Sequence, residues 1–277
     1  MFVFTKLHHL LALIGLDVGK AFRFAFRLPK FVGDALQYRK QLKAASGFSV
    51  AIRNLKPLLF DSDANAGVVG GHYFCQDLWA ARRIFLERPA RHVDIGSRID
   101  GFVAHVLVFM DVEVIDIRTL KSDVSGLHYT QADASRMAAV PSDSIPSLSC
   151  LHALEHFGLG RYGDPIVPDL WKQALSEMVR VVAVGGRLYL SVPVGRERLE
   201  FNAHRIYCPQ TIVNQIGDAL QLQRFCLVMD DGSFHEEVEL DAANDQRFAC
   251  GMFEFVKKNR ASGNSSMVNA ESAIGNG

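Results

Sequence analysis

The sequence has no surplus of charge of either sign. Its 30 Lys and Arg stand against 30 Asp and Glu, a formal net charge of zero. No basic field marks the chain as a nucleic-acid binder. It also has no Cys-x-x-Cys pair. The five cysteines, Cys75, Cys150, Cys208, Cys226 and Cys250, are dispersed along 277 residues. That is the pattern of reduced thiols in a cytoplasmic protein, not of a disulfide framework. No uninterrupted apolar run reaches the roughly 18 residues of a membrane span. The start carries Lys6 and the apolar stretch Leu10–Leu16 but no small-residue cleavage pattern, and basic amphipathic sequence follows, which argues against a secretory signal. No internal repeat is visible. Gly-x-Gly-x-x-Gly, the dinucleotide fingerprint, is missing as well.

What is present is ample core material: 49% hydrophobic residues, with 19 Phe. Residues 1–60 read as a helical lead-in. Phe22, Phe24, Phe26, Phe31, Val32 and Leu36 alternate there with Lys20, Arg23, Arg27, Lys30, Arg39, Lys40 and Lys43. Such a segment either packs on a core or a subunit, or lies on an anionic membrane surface. Residues 1–45 are thus the candidate for peripheral membrane contact. Leu28-Pro29 is expected to split the segment into two helices. Residues 61–76, rich in Asp, Asn and Gly, read as a loop, either an ordinary connection or a ligand wall. Asp77–Glu87 reads as a helix.

From His92 onward strand and helix signals alternate. Strands are predicted at Val93–Gly96, Glu113–Ile117, Leu127–Ala132, Ser144–Leu151 and Arg187–Val194, and a helix at Phe102–Phe109. Asp164-Pro165 should cap a helix running to about Val184, ended by Gly185-Gly186. A helix at Pro209–Leu220 precedes strands at Gln223–Val228 and Phe248–Val256, which lack a helix between them and should pair antiparallel. The alternation implies a mostly parallel sheet with helices on both faces. The tail from Arg260 is expected to be disordered. The division is therefore an extension at 1–60, an α/β domain at 61–258 and a tail at 259–277.

In an open parallel sheet, ligands bind beyond the carboxyl ends of the strands. Asp94 and Gly96 end the first strand. Asp116 ends the second, where a carboxylate can accept from ribose hydroxyls. Asp133 follows the third, placed to accept from an exocyclic amine. His152–His156 follows the fourth.

With these positions the segment from about Arg91 to Lys258 resembles the class I S-adenosylmethionine-dependent methyltransferases. The resemblance rests on Asp94-Ile-Gly96-Ser, Asp116, Ala132-Asp133-Ala134, Leu151-His-Ala-Leu-Glu-His156 and Gly185-Gly-Arg-Leu-Tyr-Leu-Ser-Val-Pro193. Two further strings, Tyr73-Phe-Cys-Gln-Asp-Leu-Trp79 and Glu155-His156-Phe-Gly-Leu-Gly-Arg-Tyr-Gly-Asp164, look like signatures of methyltransferase-like proteins of unassigned function from bacterial surface-polysaccharide gene clusters. The resemblance implies a Rossmann-like α/β fold with a seven-stranded, mostly parallel sheet and an antiparallel strand near the C-terminus. It implies a site for S-adenosylmethionine at Asp94, Gly96, Ser97, Arg98, Asp116, Ile117, Asp133, Ala134 and His152. His156 or His204 would orient or deprotonate a glycan or small-molecule acceptor. Arg161, Tyr162 and Arg205 would hold it.

The glycine turn departs from that family's pattern. Arg98 stands where a second glycine lets backbone approach the ligand, so it either fills that space or pairs with a ligand carboxylate. A non-catalytic scaffold keeping the fold is the alternative reading. His152-Ala-Leu-Glu155-His156 also spells an inverted zinc-hydrolase pattern, but it follows a strand, and Gly158 and Gly160 cut any helix short. No metal is expected on that ground. Asp164 reads more simply as a helix cap than as an acid.

Overall fold

The computed structural model describes residues 17–42, 50–61, 67 and 69–258. The expectations for Lys6, Leu10–Leu16, Lys43 and the tail from Arg260 fall outside the described residues. The chain divides into two units, Met1–Val68 and Val69–Gly277.

In the first unit, helix α1 (Val18–Gln41) opens on Asp17, whose side chain accepts from the Lys20 amide at 2.8 Å. Pro29 lies inside this helix and does not split it, contrary to expectation. A proline deprives the carbonyl four residues back of its donor. Here that residue, Ala25, is exposed, so water can take the donor's place. Farther along the unit, Phe60 lies 5.8 and 5.9 Å from the guanidinium carbons of Arg23 and Arg27.

The second unit begins with helix α2 (Gly71–Glu87). It starts six residues before the predicted Asp77, because Gly70 and Gly71 both take positive φ and turn the chain directly into it. His72 to Gln76 are therefore helical, not loop. Strand β1 (His92–Ile95) follows, then a single π-helical turn (Ile99–Val103), a short helix α3 (Ala104–Val106), and strands β2 (Val112–Asp116), β3 (Leu127–Gln131) and β4 (Ile145–Leu151). Helix α4 (Leu170–Val181) leads into β5 (Val182–Val194), a small hairpin β6 (Arg198–Glu200) and β7 (His204–Ile206), helix α5 (Pro209–Ile216), and strands β8 (Gln221–Val228), β9 (Phe234–His235) and β10 (Ala249–Val256).

Two expectations around α4 are corrected. Asp164 does not cap it. Its carboxylate instead accepts from the amides of Gly158, Gly160 and Tyr162 at 2.8, 3.2 and 3.1 Å and folds the glycine-rich loop on itself. Gly185-Gly186 does not end it either. The helix stops at Val181, and both glycines lie inside β5. A Cβ on Gly186 would sit 2.8 Å from the Ala183 carbonyl and 2.9 Å from that of Pro146. The glycine is needed for strand contact, not for helix termination.

The sheet order is β3-β2-β1-β4-β5-β10-β8-β9. The pairs β1–β2, β2–β3, β1–β4 and β4–β5 are parallel, while β10 lies antiparallel between β5 and β8. The sequence pattern foresaw seven strands; the two-residue β9 adds an eighth at the edge. Side chains bury on both faces, one around Leu148, Trp171, Leu175 and Phe253 and the other around Trp79, Phe102, Val114 and Tyr189. That is why β1 and β4 read as nearly continuous buried runs and not as alternating ones. The sheet grows one way from β1 to β3 and the other way from β4. The strand order therefore reverses between β1 and β4, and their carboxyl ends open a crevice there.

Candidate functional site

That crevice is a cavity of about 560 Å³, within the range that holds a cofactor-sized ligand. Gly96, Ser97 and Arg98 line it from the turn after β1, Asp116 and Ile117 from the end of β2, Asp133 and Ala134 from beyond β3, and His152 and His156 from beyond β4. Arg161, Tyr162 and His204 complete the wall. The fold thus brings together twelve of the fourteen residues singled out from sequence. Asp94 and Arg205 are not in the lining.

Asp94 is fully buried behind the turn. Its carboxylate accepts from Ser97 Oγ at 2.6 Å, the Ser97 amide at 3.0 Å and Ser149 Oγ at 2.5 Å. Ser97 Oγ in turn accepts from the Leu151 amide at 3.0 Å, which staples the β1 turn to the end of β4. Burial pushes the Asp94 carboxyl up to about 6 against those hydrogen bonds. Arg205 donates to the carbonyls of Phe157 at 2.6 Å and Pro168 at 2.9 Å and so locks the loop after β4 from outside.

Gly96 has φ +68, and a Cβ there would lie 3.1 Å from that of Ala153. Only glycine keeps this turn open to the cavity. Arg98 does not fill the floor. Its guanidinium leans onto the Tyr73 ring at 4.8 Å and reaches Asp100 at 3.3 Å, at the rim.

Asp116 is engaged by a residue the sequence reading did not single out. Arg118 donates from its amide at 2.8 Å and from Nε at 3.0 Å to Oδ1, and from Nη2 at 2.5 Å to Oδ2. The Arg118 guanidinium also lies 4.9 Å from the Tyr162 ring, whose other neighbours are Arg161 at 5.3 Å and the His156 ring at 5.4 Å. Asp133 accepts from the Ser135 amide at 2.8 Å through Oδ1. Tyr73 and Phe248 also line the cavity. Tyr73 lies in the stretch read as a connection or a ligand wall and opens one of the resemblance strings, whereas Phe248 was legible only as a strand residue. The Asp-x-Arg spacing at Asp116–Arg118 was the available signal for the clamp.

Beyond β4, Leu154–His156 is one turn of 3-10 helix, not an α-helix. His152 takes φ +50, and its Nδ1 lies 2.8 Å from Glu155 Oε1. Burial alone would lower the His152 pKa. Cys250 and Glu155 outweigh it and hold the imidazolium well above the ordinary histidine range. Burial would likewise raise Glu155, but His152 outweighs it, so the carboxylate stays ionised below its usual range. His156 Nδ1 lies 2.7 Å from the Ala203 carbonyl. A carbonyl only accepts, so Nδ1 carries the proton, and in the neutral ring Nε2 keeps its lone pair. Burial pulls the His156 pKa below the usual value despite Glu155 nearby. His204 Nε2 lies 3.2 Å from Glu200 Oε2, without hydrogen-bond geometry, and its ring packs 4.9 Å from Phe248.

Residues 104–226 match the model of a family described as a Caenorhabditis protein of unknown function, DUF268. No curated protein matches the sequence. Among solved structures, the chain is similar to the N-methyltransferase NodS from Bradyrhizobium japonicum WM9 in complex with S-adenosyl-L-homocysteine. The two are 14% identical over 73% of this chain and 92% of that one, with a TM-score of 0.48. It is also similar to the 1,6-didemethyltoxoflavin-N1-methyltransferase of Burkholderia thailandensis, 15% identical over 66% of this chain and 79% of that one, with a TM-score of 0.45. A third is the [4+2]-cyclase SpnF, 12% identical over 66% and 80%, with a TM-score of 0.49. The fold follows from this chain's own strand order and the antiparallel place of β10.

Proposed function

We propose that the cavity binds S-adenosylmethionine and that the chain is a methyltransferase acting on a hydroxyl or carboxyl of a glycan or small-molecule acceptor. One observation carries the reading. The cavity opens where the strand order reverses, with the Gly96 turn on one side and the carboxylates of Asp116 and Asp133 at the ends of the next two strands. The residues present fit the cofactor. The turn at Gly96 is kept open by its positive φ, and Asp133 has Oδ2 to spare for an amine. Asp116 fits in part: a carboxylate offers about four acceptor positions, and Arg118 already takes most of them.

The cofactor, when bound, supplies a methyl group on a positively charged sulfur. The chain's own contribution is positioning and proton removal. His156, neutral near pH 7 with Nε2 unprotonated, would take the acceptor proton while Ala203 holds the ring by Nδ1. His204 would orient the acceptor. Arg161 and Tyr162 sit at the wall where an anionic or sugar acceptor would lie. A role in surface-polysaccharide biosynthesis, with α1 resting on a membrane surface, extends this reading.

A second reading, a non-catalytic scaffold that keeps the fold, is favoured by the closure of Arg118 on Asp116. Thermal unfolding with and without S-adenosylmethionine and S-adenosylhomocysteine separates the two. A methyltransferase gains stability with ligand concentration; a scaffold melts at one temperature throughout.

A further inference from the structure

At the cavity wall, three metal-ligating side chains from separate elements meet. His72 lies in the first turn of α2, His152 follows β4 and Cys250 lies on β10. One ligand atom from each lies within 4.8 Å of the other two. Each imidazole has one ring nitrogen engaged by an oxygen. Nδ1 of His152 is engaged by Glu155 Oε1 at 2.8 Å. Its side chain is only 5% exposed, and the buried ring lies beside the Cys250 sulfur. The ring of His72 is hydrogen-bonded to the backbone of Phe248, which leaves its second nitrogen available. A carboxylate or carbonyl on one ring nitrogen fixes the tautomer and aims the lone pair of the other. The Cys250 sulfur is buried, with Gln76 Oε1 at 3.8 Å and the His152 ring as polar neighbours.

We propose that His72, His152 and Cys250 together bind one zinc-class divalent cation, with Glu155 orienting His152 and water in the fourth position. Two imidazoles and a thiolate with an open position form a donor set that such cations take. Bond lengths of about 2.3 Å to sulfur and about 2.0 Å to nitrogen put tetrahedral ligand atoms about 3.3–3.5 Å apart. The present spacing, within 4.8 Å, must close by at most about 1.5 Å to reach that. Binding replaces by the metal whatever protons the Cys250–His152 pair carries and releases them to solvent. The site differs from the inverted zinc-hydrolase pattern, because His156 is not among the clustered ligand atoms. Its place also differs: the cation ties the start of α2, the end of β4 and β10 together.

The test is a titration of the full-length chain, stripped of metal and kept reduced, with Co²⁺ alone. The expected result is saturation at one equivalent, with a sulfur-to-cobalt charge-transfer band and the visible bands of a tetrahedral ion. His72→Gln, at a half-buried position, should weaken binding about tenfold or more with an unchanged far-ultraviolet circular dichroism spectrum. Glu155→Gln should weaken it about 10–100-fold, and Cys250→Ser should remove the charge-transfer band. The proposal is overturned if the unmodified chain gives no saturable band or if His72→Gln binds as tightly as the unmodified chain. It is also overturned if Cys75→Ser, not Cys250→Ser, removes the sulfur band. The His72 arm holds even where the buried cysteine variant does not fold.

Discussion

The chemistry proposed for His156 depends on one hydrogen bond, from Nδ1–H to the Ala203 carbonyl at 2.7 Å, and on burial that keeps the ring neutral near pH 7. With an identified acceptor, His156→Gln should lower kcat by about 10²–10⁴ and leave cofactor affinity nearly unchanged. Because burial lowers its pKa, the acid limb of kcat/KM should fall below the ordinary histidine range. A limb at or above that range, or a kcat unchanged by the substitution, assigns the proton to another group. Residue by residue, the sequence was legible where a residue's place in the fold follows from its place in the chain. Asp116, Asp133 and Gly96 lie at strand ends, and the strands were visible. It was not legible where long side chains choose partners. Arg118 could have pointed away from Asp116, and Arg205 turns to the carbonyls of Phe157 and Pro168, not to the cavity. No spacing rule decides such a choice.

Elements were legible in type more than in boundary. Helix α1 continues through Pro29 because exposed backbone can replace the lost bond with water, which local sequence does not reveal. Helix α2 begins at a glycine pair that reads equally well as loop, and that shift places His72 and Tyr73 on a helix. Asp164 and Gly185-Gly186 carry the residue types of helix caps, yet one folds its own loop by local hydrogen bonds and the other admits a neighbouring strand. Helix α1 supports a prediction of its own. It leaves Phe22 and Phe26 65% and 69% exposed, their rings 4.6 Å apart, beside Lys20 and Lys30. No described helix is long and apolar enough to cross a membrane. If α1 lies on a membrane surface, the full chain should co-sediment with anionic vesicles, remain free of neutral ones, and lose the association in Phe22→Ser/Phe26→Ser. Equal sedimentation by the variant and the unmodified chain contradicts that role.

At the scale of the whole molecule, the parallel sheet could be read from the alternation of strand and helix signals. The hydrogen-bonded staple beneath the site could not, because Asp94, Ser97 and Ser149 meet only once β1 lies beside β4. That staple gives stability a pH dependence. In the unfolded chain Asp94 titrates near ~3.9, and in the folded chain burial raises it to about 6. A raised carboxyl stabilises the fold fully below the unfolded value and loses that contribution as pH rises through about 6. Against the non-titrating Asp94→Asn, the unmodified chain should therefore lose about 2–3 kcal/mol between pH 4 and 7. Urea unfolding of both at each pH checks this, and a constant difference between them contradicts it. The central claim is that the crevice between β1 and β4 takes S-adenosylmethionine, and calorimetric titration of the unmodified chain, Asp116→Ala and Arg118→Ala tests it most directly. The account predicts saturable one-to-one binding, about tenfold or more weaker in Asp116→Ala and tighter in Arg118→Ala, where the carboxylate is released. Absence of heat in both the unmodified chain and Arg118→Ala, or affinity indifferent to Asp116, contradicts it.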